Sequence, residues 1–230
     1  MNYDFIIIGG GIAGASLAAQ LGQEARVAIL EMEKQPGFHS TGRSAAYFAP
    51  AYGNYVVREI TAASESFYQE PSDKFTNVPL LRPRGSLFVA EERQRESVVK
   101  MMEESPHLLE VNSDEIRSQV PIIKPGKLTC GAFDEGGGYL DVDAILQAYL
   151  RQFRSNNGEI ITACKLLDLD YRDGVWTLQT EKGVYTTSVV INSAGAWADQ
   201  IANLAGLEPL GIKPYRRTAL LVDSPTDLDI

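Results

Sequence analysis

Apolar residues in the first part of the chain follow two rhythms, and glycines mark the changes between them. Tyr3-Asp4-Phe5-Ile6-Ile7-Ile8 places its apolar residues consecutively, the pattern of a parallel strand buried on both faces. Gly9, Gly10 and Gly11 interrupt the run, and IAGASLAAQLGQ then takes helical spacing. Arg26-Val27-Ala28-Ile29-Leu30 is a second strand of the consecutive kind, closed by Glu31. The same pattern returns at Val189-Val190-Ile191-Asn192 and runs straight into Ser193-Ala194-Gly195-Ala196-Trp197. Small residues at the carboxyl end of a parallel strand allow close approach of a ligand, or of a packed helix.

Between these strands the pattern is more local. Residues 54–70 predict a helix with Val56, Val57, Ile60, Ala63 and Phe67 on one apolar face. A charged helix is predicted over 91–105, burying Val98, Val99 and Met102, and a short one over 113–119 capped by Ser113. Residues 141–157 form an amphipathic helix, capped by Asp141 or Asp143 and ended by Asn156-Asn157-Gly158. LLRPRGSLFVAEE predicts a strand pair or one bent strand, and KLTCGAF a strand followed by the turn-rich DEGGGYLD. Short strands follow at 159–163, 165–171, 174–180 and 183–187, with turns at Asp173-Gly174 and Lys182-Gly183. KPYRRTALLVD at 213–223 predicts a further returning strand.

Composition narrows the function classes. Apolar residues make up 44% and charged residues 22% of 230, as in ordinary globular proteins. The net charge, 21 − 30 = −9, argues against nucleic acid or an anionic membrane as partner. Cys130 and Cys164 form no CxxC or Cys/His cluster, and His39 and His107 are the only histidines. These residues predict buried thiols and no metal site. The apolar N-terminus carries Asp4 rather than a basic region and breaks at three glycines, unlike a signal peptide. No segment reaches the ~20 apolar residues that span a bilayer. A cytoplasmic location is expected.

The candidate chemistry lies in GGGIAG at 9–14. Gly9 permits a tight strand-to-helix turn, Gly11 lets backbone N–H groups approach a pyrophosphate, and Gly14 lets the helix lie close on the sheet. The anion would sit at the helix N-terminus. Glu31 lies 31 − 14 = 17 residues past the last glycine, near the ~20 of a ribose-binding carboxylate. A carboxylate there accepts from a ribose hydroxyl and repels a 2′-phosphate, which disfavours NADP and leaves FAD and NAD open. In the Gly/Pro loop at 34–53, Ser40 and Thr41 are N-cap candidates for a short helix over Gly42-Arg43-Ser44-Ala45-Ala46. Such a helix would bring further donors to the same phosphates. A capped surface loop is the alternative there.

GGGIAG, VAILE, PGFHSTGRSAA, AYG and ITAAS together resemble the FAD-dependent D-amino acid oxidase-like family, with bacterial D-amino acid dehydrogenases, including D-arginine-type ones, nearest in pattern. The resemblance continues through LLRPRGSLFV, YLDVDAILQAYL, INSAGAWADQIANLAG and GIKPYRR, so it covers essentially the whole chain. It implies FAD as cofactor, cradled by Gly9, Gly11, Ala13 and Gly14, with Glu31 at the adenosine ribose and Met32 also in the cofactor site. Ser40, Thr41, Gly42, Arg43, Ser44, Ala45 and Ala46 would line the ribityl chain and flavin, Leu166 the adenine, and Gly195 the adenine half. No side chain is implied as catalytic, because hydride transfer to flavin N5 is the cofactor's chemistry. The implied substrate is a D-amino acid or related small amine, held by Tyr52 and Arg217, with Tyr47 and Ser86 near its side chain. Tyr47 and Ser86 stand where D-arginine-preferring relatives carry a histidine and an acid, so a guanidinium substrate finds no counter-charge. Oxidation of glycine, sarcosine or a 2-hydroxy acid is the alternative activity, and a non-catalytic nucleotide-binding fragment the alternative class. The electron acceptor is open.

The expected fold class is therefore α/β. A Rossmann-like FAD/NAD(P)-binding domain with a parallel central sheet would span 1–75 and 138–206. Part of an antiparallel-sheet substrate domain would span 76–137 and 207–230. After Arg217 the sequence offers only TALLVDSPTDLDI, whereas the family pattern has a further strand, a glycine-rich loop and a second substrate arginine. The chain is expected to be the N-terminal part of such a protein. The missing segment or a partner chain would then cover its exposed apolar surface.

Overall fold

The computed structural model describes residues 2–216 together with 218 and 223. The chain runs β1 (Asn2–Ile8), α1 (Ile12–Leu21), β2 (Val27–Leu30), β3 (Tyr47–Phe48) and α2 (Tyr55–Gln69). It continues through β4 (Leu81–Pro83), β5 (Ser86–Ala90), α3 (Arg95–Glu104), β6 (Leu109–Asn112), α4 (Ser113–Gln119), β7 (Cys130–Asp134) and β8 (Gly138–Leu140). The last described elements are α5 (Val142–Ser155), β9 (Glu159–Ile161), β10 (Leu166–Arg172), β11 (Val175–Thr180), β12 (Gly183–Asn192) and α6 (Ala198–Leu204).

Packing divides the chain into two compact units. Of the described residues, one holds those up to Ser44 with Ser72–Val78 and Val142–Arg216, and the other Ala45–Pro71 and Pro79–Asp141. In the first, a six-stranded sheet has the order β10-β11-β12-β1-β2-β9. The pairs β12/β1, β1/β2 and β2/β9 are parallel, while β10, β11 and β12 form an antiparallel meander. The consecutive isoleucines of β1 serve both faces, as their pattern predicts. Ile7 packs with Ala15, Ala18 and Ala19 of α1 and Leu150 and Phe153 of α5. Ile6 and Ile8 join Leu30, Cys164, Leu169 and Leu178 on the opposite face. The alanine-lined face of α1 explains its close seat: three fully buried methyl side chains let its backbone approach the strands.

The second unit is antiparallel. One three-stranded sheet has the order β3-β8-β4 and another β5-β7-β6. Ala51, Ala90, Val98, Leu108, Cys130 and Ala132 form its core. Among the described residues, no strand of 76–137 enters the six-stranded sheet.

Several local expectations are corrected. Residues 42–46 form no helix; turns run over 36–43 and 44–46 have no regular structure. Gly37 at φ +75° and the Gly42 N–H on the Gly37 carbonyl (2.7 Å) close a wider turn instead. The N-cap of α4 is Asn112, one residue before Ser113, and it closes a capping box with Glu115. Val99 is exposed while Val98 is buried. The strands predicted at 183–187 and 189–192 are one, β12, and Val189 is exposed rather than buried on both faces. Helix α2 forms, with Asn54 accepting from Val57 N–H as its cap, but its apolar stripe faces solvent: Val56 and Ile60 are 61% and 62% exposed. Arg58, on the less exposed side of the helix, donates to the Gly53 carbonyl and Glu104. Residues 213–216 are not in a strand, and most of 217–223 lies outside the described residues. Both cysteines are free and buried, as expected. Among the described residues no helix is long and apolar enough to cross a membrane, and none of their His/Cys/Asp/Glu groups could hold a metal ion.

Candidate cofactor site

The site begins where β1 ends. Gly9 has φ +104°, and a Cβ on it would stand 2.5 Å from the Ser193 carbonyl oxygen, so both backbone angle and space require glycine. Its N–H donates to the Leu30 carbonyl at 2.9 Å, which ties the turn to β2. Gly14, one turn into α1, lies against the turn: a Cβ there would collide with the Gly9 carbonyl oxygen. At Gly11 a Cβ would lie 3.2 Å from the Thr41 hydroxyl oxygen. That hydroxyl accepts the Ile12 N–H at 3.0 Å. Thr41 thus caps the helix that follows Gly11, not the short helix expected after it.

Glu31, 7% exposed, is held from two sides. One carboxylate oxygen accepts the Gly10 N–H at 2.8 Å and the other the Glu33 N–H at 2.9 Å. Each oxygen keeps a further lone pair for a ligand hydroxyl. The carboxylate therefore braces the glycine turn as well as facing the ligand space.

These groups open on one cleft of ≈ 940 Å³ in the first unit. Of the residues proposed for the cofactor, Gly9, Gly11, Ala13, Glu31, Met32, Ser40, Thr41, Leu166 and Gly195 line it. Gly14 sits behind the wall as a packing glycine. Gly42, Arg43 and Ser44 build the adjoining turn: Gly42 and Ser44 bond the Gly37 and Thr41 carbonyls, and Arg43 donates to the Phe38 carbonyl and lies over its ring. Ala45 and Ala46 belong to the second unit.

The sequence pattern missed one wall altogether. Glu33, Phe38, His39 and Trp197 also line the cleft. His39 Nε2 lies 2.8 Å from the Glu33 carboxylate, and its ring packs on Trp197 at 4.5 Å and edge-on to Phe38 at 5.1 Å. HSTGRSAA drew attention to its hydroxyls, while the signal for His39 was present as one of only two histidines.

The cleft lies at the carboxyl ends of parallel strands, at a helix N-terminus, with a carboxylate at the end of the second strand. This is where α/β sheets bind dinucleotides. The FAD dependent oxidoreductase (DAO) family profile matches residues 4–230. The chain belongs to this family. FAD is the family's cofactor, and the residues present suit its adenosine diphosphate half: a glycine turn that a Cβ would fill, an anion-favouring helix start and a hydroxyl acceptor at Glu31.

Among relatives, the chain is 30% identical to L-2-hydroxyglutarate dehydrogenase of Escherichia coli (strain K12), covering 93% of this chain and 53% of that one. It is 25% identical to human mitochondrial dimethylglycine dehydrogenase over 88% of this chain and 24% of that one. The chain thus spans about half the length, or less, of these curated relatives. Glycine oxidase from Geobacillus kaustophilus superposes with a TM-score of 0.80 at 18% identity, covering 90% of this chain and 59% of that one. The L-α-glycerophosphate oxidase of Mycoplasma pneumoniae, described with FAD bound, gives 0.79 at 16%, covering 90% and 57%. These two likenesses concern the fold. The coarse expectation, membership of an FAD dependent oxidoreductase family with an α/β fold, holds. None of the four relatives named is a D-amino acid dehydrogenase.

The residues expected at the substrate lie in the second unit or beyond the described residues. The Tyr47 hydroxyl donates to the Gly85 carbonyl, and its ring stands edge-on to Tyr139 at 5.0 Å. Tyr52 is 65% exposed, on a turn closed by its N–H to the Ala49 carbonyl. The Ser86 hydroxyl oxygen is buried against Gly137 and has no hydrogen-bond partner among the described residues. Arg217 lies outside the described residues.

Proposed function

We propose that the protein oxidises the α C–N bond of a D-amino acid or related small amine, with FAD as the immediate hydride acceptor. The observation that supports it is the meeting of the glycine turn, Glu31 and the Ser40-Thr41 turn around one cleft in a chain of the FAD dependent oxidoreductase family. In this proposal the N-terminus of α1 holds the diphosphate, and Glu31 accepts from the adenosine ribose. Leu166 and Gly195 border the adenine half, while Ser40 and Thr41 line the path toward the flavin. Bound FAD supplies the hydride acceptor, so the protein's task is to orient the substrate carbon. The AYG tyrosine, Tyr52, and the second arginine of KPYRR, Arg217, are the proposed substrate groups, the guanidinium gripping the carboxylate in a bidentate fork. The domain division of the sequence analysis, cofactor against substrate, belongs to the same proposal.

A second reading is oxidation of a 2-hydroxy acid, supported by the 30% identity to an L-2-hydroxyglutarate dehydrogenase. Both need the same hydride transfer and the same carboxylate clamp. Turnover of a panel of D-amino acids, glycine, sarcosine and 2-hydroxy acids by the full-length protein, followed with an artificial electron acceptor, separates them. The proposal expects the best kcat/KM among D-amino acids with uncharged side chains. A best substrate among 2-hydroxy acids replaces it with the second reading, and a strong preference for D-arginine contradicts the uncharged pocket. Arg217→Ala should lower kcat/KM for the best substrate by about 10- to 100-fold, the worth of a charged hydrogen bond. Arg217→Lys should not rescue it, because an ammonium lacks the planar fork. A value for Arg217→Ala within a few-fold of the unsubstituted protein removes Arg217 from the site.

A further inference from the structure

The side-chain charge lining the cleft has the same sign as a diphosphate. Among the described residues that line it, Glu31, Glu33 and Glu181 stand against one lysine, Lys165, which gives 1 − 3 = −2. A diphosphate entering this space adds further negative charge. The cleft of ≈ 940 Å³ is about 10 Å on an edge, close to the Debye length, so these charges act on the ligand with limited screening. Glu31 is accommodated by two backbone N–H groups. Glu33 has His39, whose Nε2 lies 2.8 Å from its carboxylate. The imidazole also packs against the Trp197 and Phe38 rings at 4.5 and 5.1 Å. Thr41, two residues further on, caps the N-terminus of α1, which places this loop beside the proposed diphosphate position.

We infer that His39 is a positioning residue for the cofactor: held by Trp197, it donates to Glu33 and screens that carboxylate from the diphosphate. The inference rests on the cofactor reading above and adds a device to it. Without the imidazole N–H, the Glu33 carboxylate would turn an unbonded oxygen to the ligand space, and two negative groups within a Debye length repel. The loss should therefore fall on charged ligands and depend on Glu33.

The test is a set of calorimetric titrations on the whole chain with ADP and adenosine as probes. His39→Phe, which keeps a ring against Trp197 and removes the N–H donor, should weaken ADP about ten-fold and leave adenosine within two-fold. Glu33→Gln should bind ADP at least as tightly as the unsubstituted chain. The double variant His39→Phe/Glu33→Gln should recover ADP affinity to within two- to three-fold, and 0.5 M salt should shrink the His39→Phe deficit. Equal losses in the single His39→Phe and the double variant would show that the loss does not act through Glu33 and overturn the inference. So would an unchanged ADP affinity in His39→Phe. If the unsubstituted chain binds neither ADP nor FAD, the cofactor reading itself fails. The inference alone fails when that chain binds ADP and His39→Phe binds it equally.

Discussion

Gly14→Ala is expected to unfold or severely destabilise the first unit, although it improves intrinsic helix propensity. In an exposed helix that exchange stabilises by about 1 kcal/mol. Here the added methyl collides with the Gly9 carbonyl oxygen, and the Ile7 side chain lies 3.2 Å from it. A carbonyl on a turn that is bonded to β2 has nowhere to go, so α1 would have to lift from the sheet. Lifting it opens the face on which Ala15, Ala18 and Ala19 are fully buried. Overpacking costs about 1–3 kcal/mol where side chains can adjust, and more where the obstacle is backbone. The collision therefore wins. Urea unfolding should show a loss of 3 kcal/mol or more, and the variant should bind no ADP. A stability equal to or above that of the unsubstituted chain would show that α1 does not sit on the glycine turn.

Glu31→Ala should damage both the fold and the ligand site, and the two can be separated. It strands the Gly10 N–H, bonded to the carboxylate in a buried place, and the Glu33 N–H, bonded where it is only part-buried. An unsatisfied buried donor costs about 1–3 kcal/mol and one that water can reach costs less, so about 1–4 kcal/mol of unfolding free energy should go. FAD affinity should fall as well, by about 1–3 kcal/mol for the lost charged acceptor. Glu31→Gln keeps the shape and one acceptor oxygen but turns its amide nitrogen toward a donor, and should fall between. Unchanged FAD affinity in a folded Glu31→Ala variant would confine Glu31 to bracing the turn.

The sequence made the first unit legible because its signals are local. Three consecutive isoleucines can only be buried on both faces, and Glu31 sits at the end of a strand whose apolar run defines its length. The resemblance added Leu166 and Gly195, which no local pattern would have joined to the glycine turn. The clip of Glu33, His39 and Trp197 stayed hidden, since its ring contact spans 197 − 39 = 158 positions and leaves no periodic trace. The Ser40–Ala46 stretch read as a capped helix because hydroxyls preceded small residues. Gly37 and Gly42, whose backbones bond each other, took the chain through a wider turn and gave the Thr41 hydroxyl to α1 instead. In α2 the period of 3.6 was correct and its consequence was not. Periodicity reports that a helix has an apolar face, not what lies against it, and Val56 and Ile60 face solvent. Asn112 and Ser113 are adjacent residues of equal capping ability. The choice between them was made by the pairing of β6 with β7, which extends strand geometry through Asn112.

The central claim is that the cleft around the glycine turn, Glu31 and Thr41 holds the adenosine diphosphate half of FAD. ADP titrated into ¹⁵N-labelled protein tests it residue by residue through the backbone amide resonances. The account predicts saturable shifts at Gly9–Ala13, Glu31–Glu33, Thr41 and Gly195, with Val89, Gly131 and Ala132 of the second unit unmoved. Absence of saturable shifts at Gly9–Ala13, or shifts confined to the second unit, would contradict it.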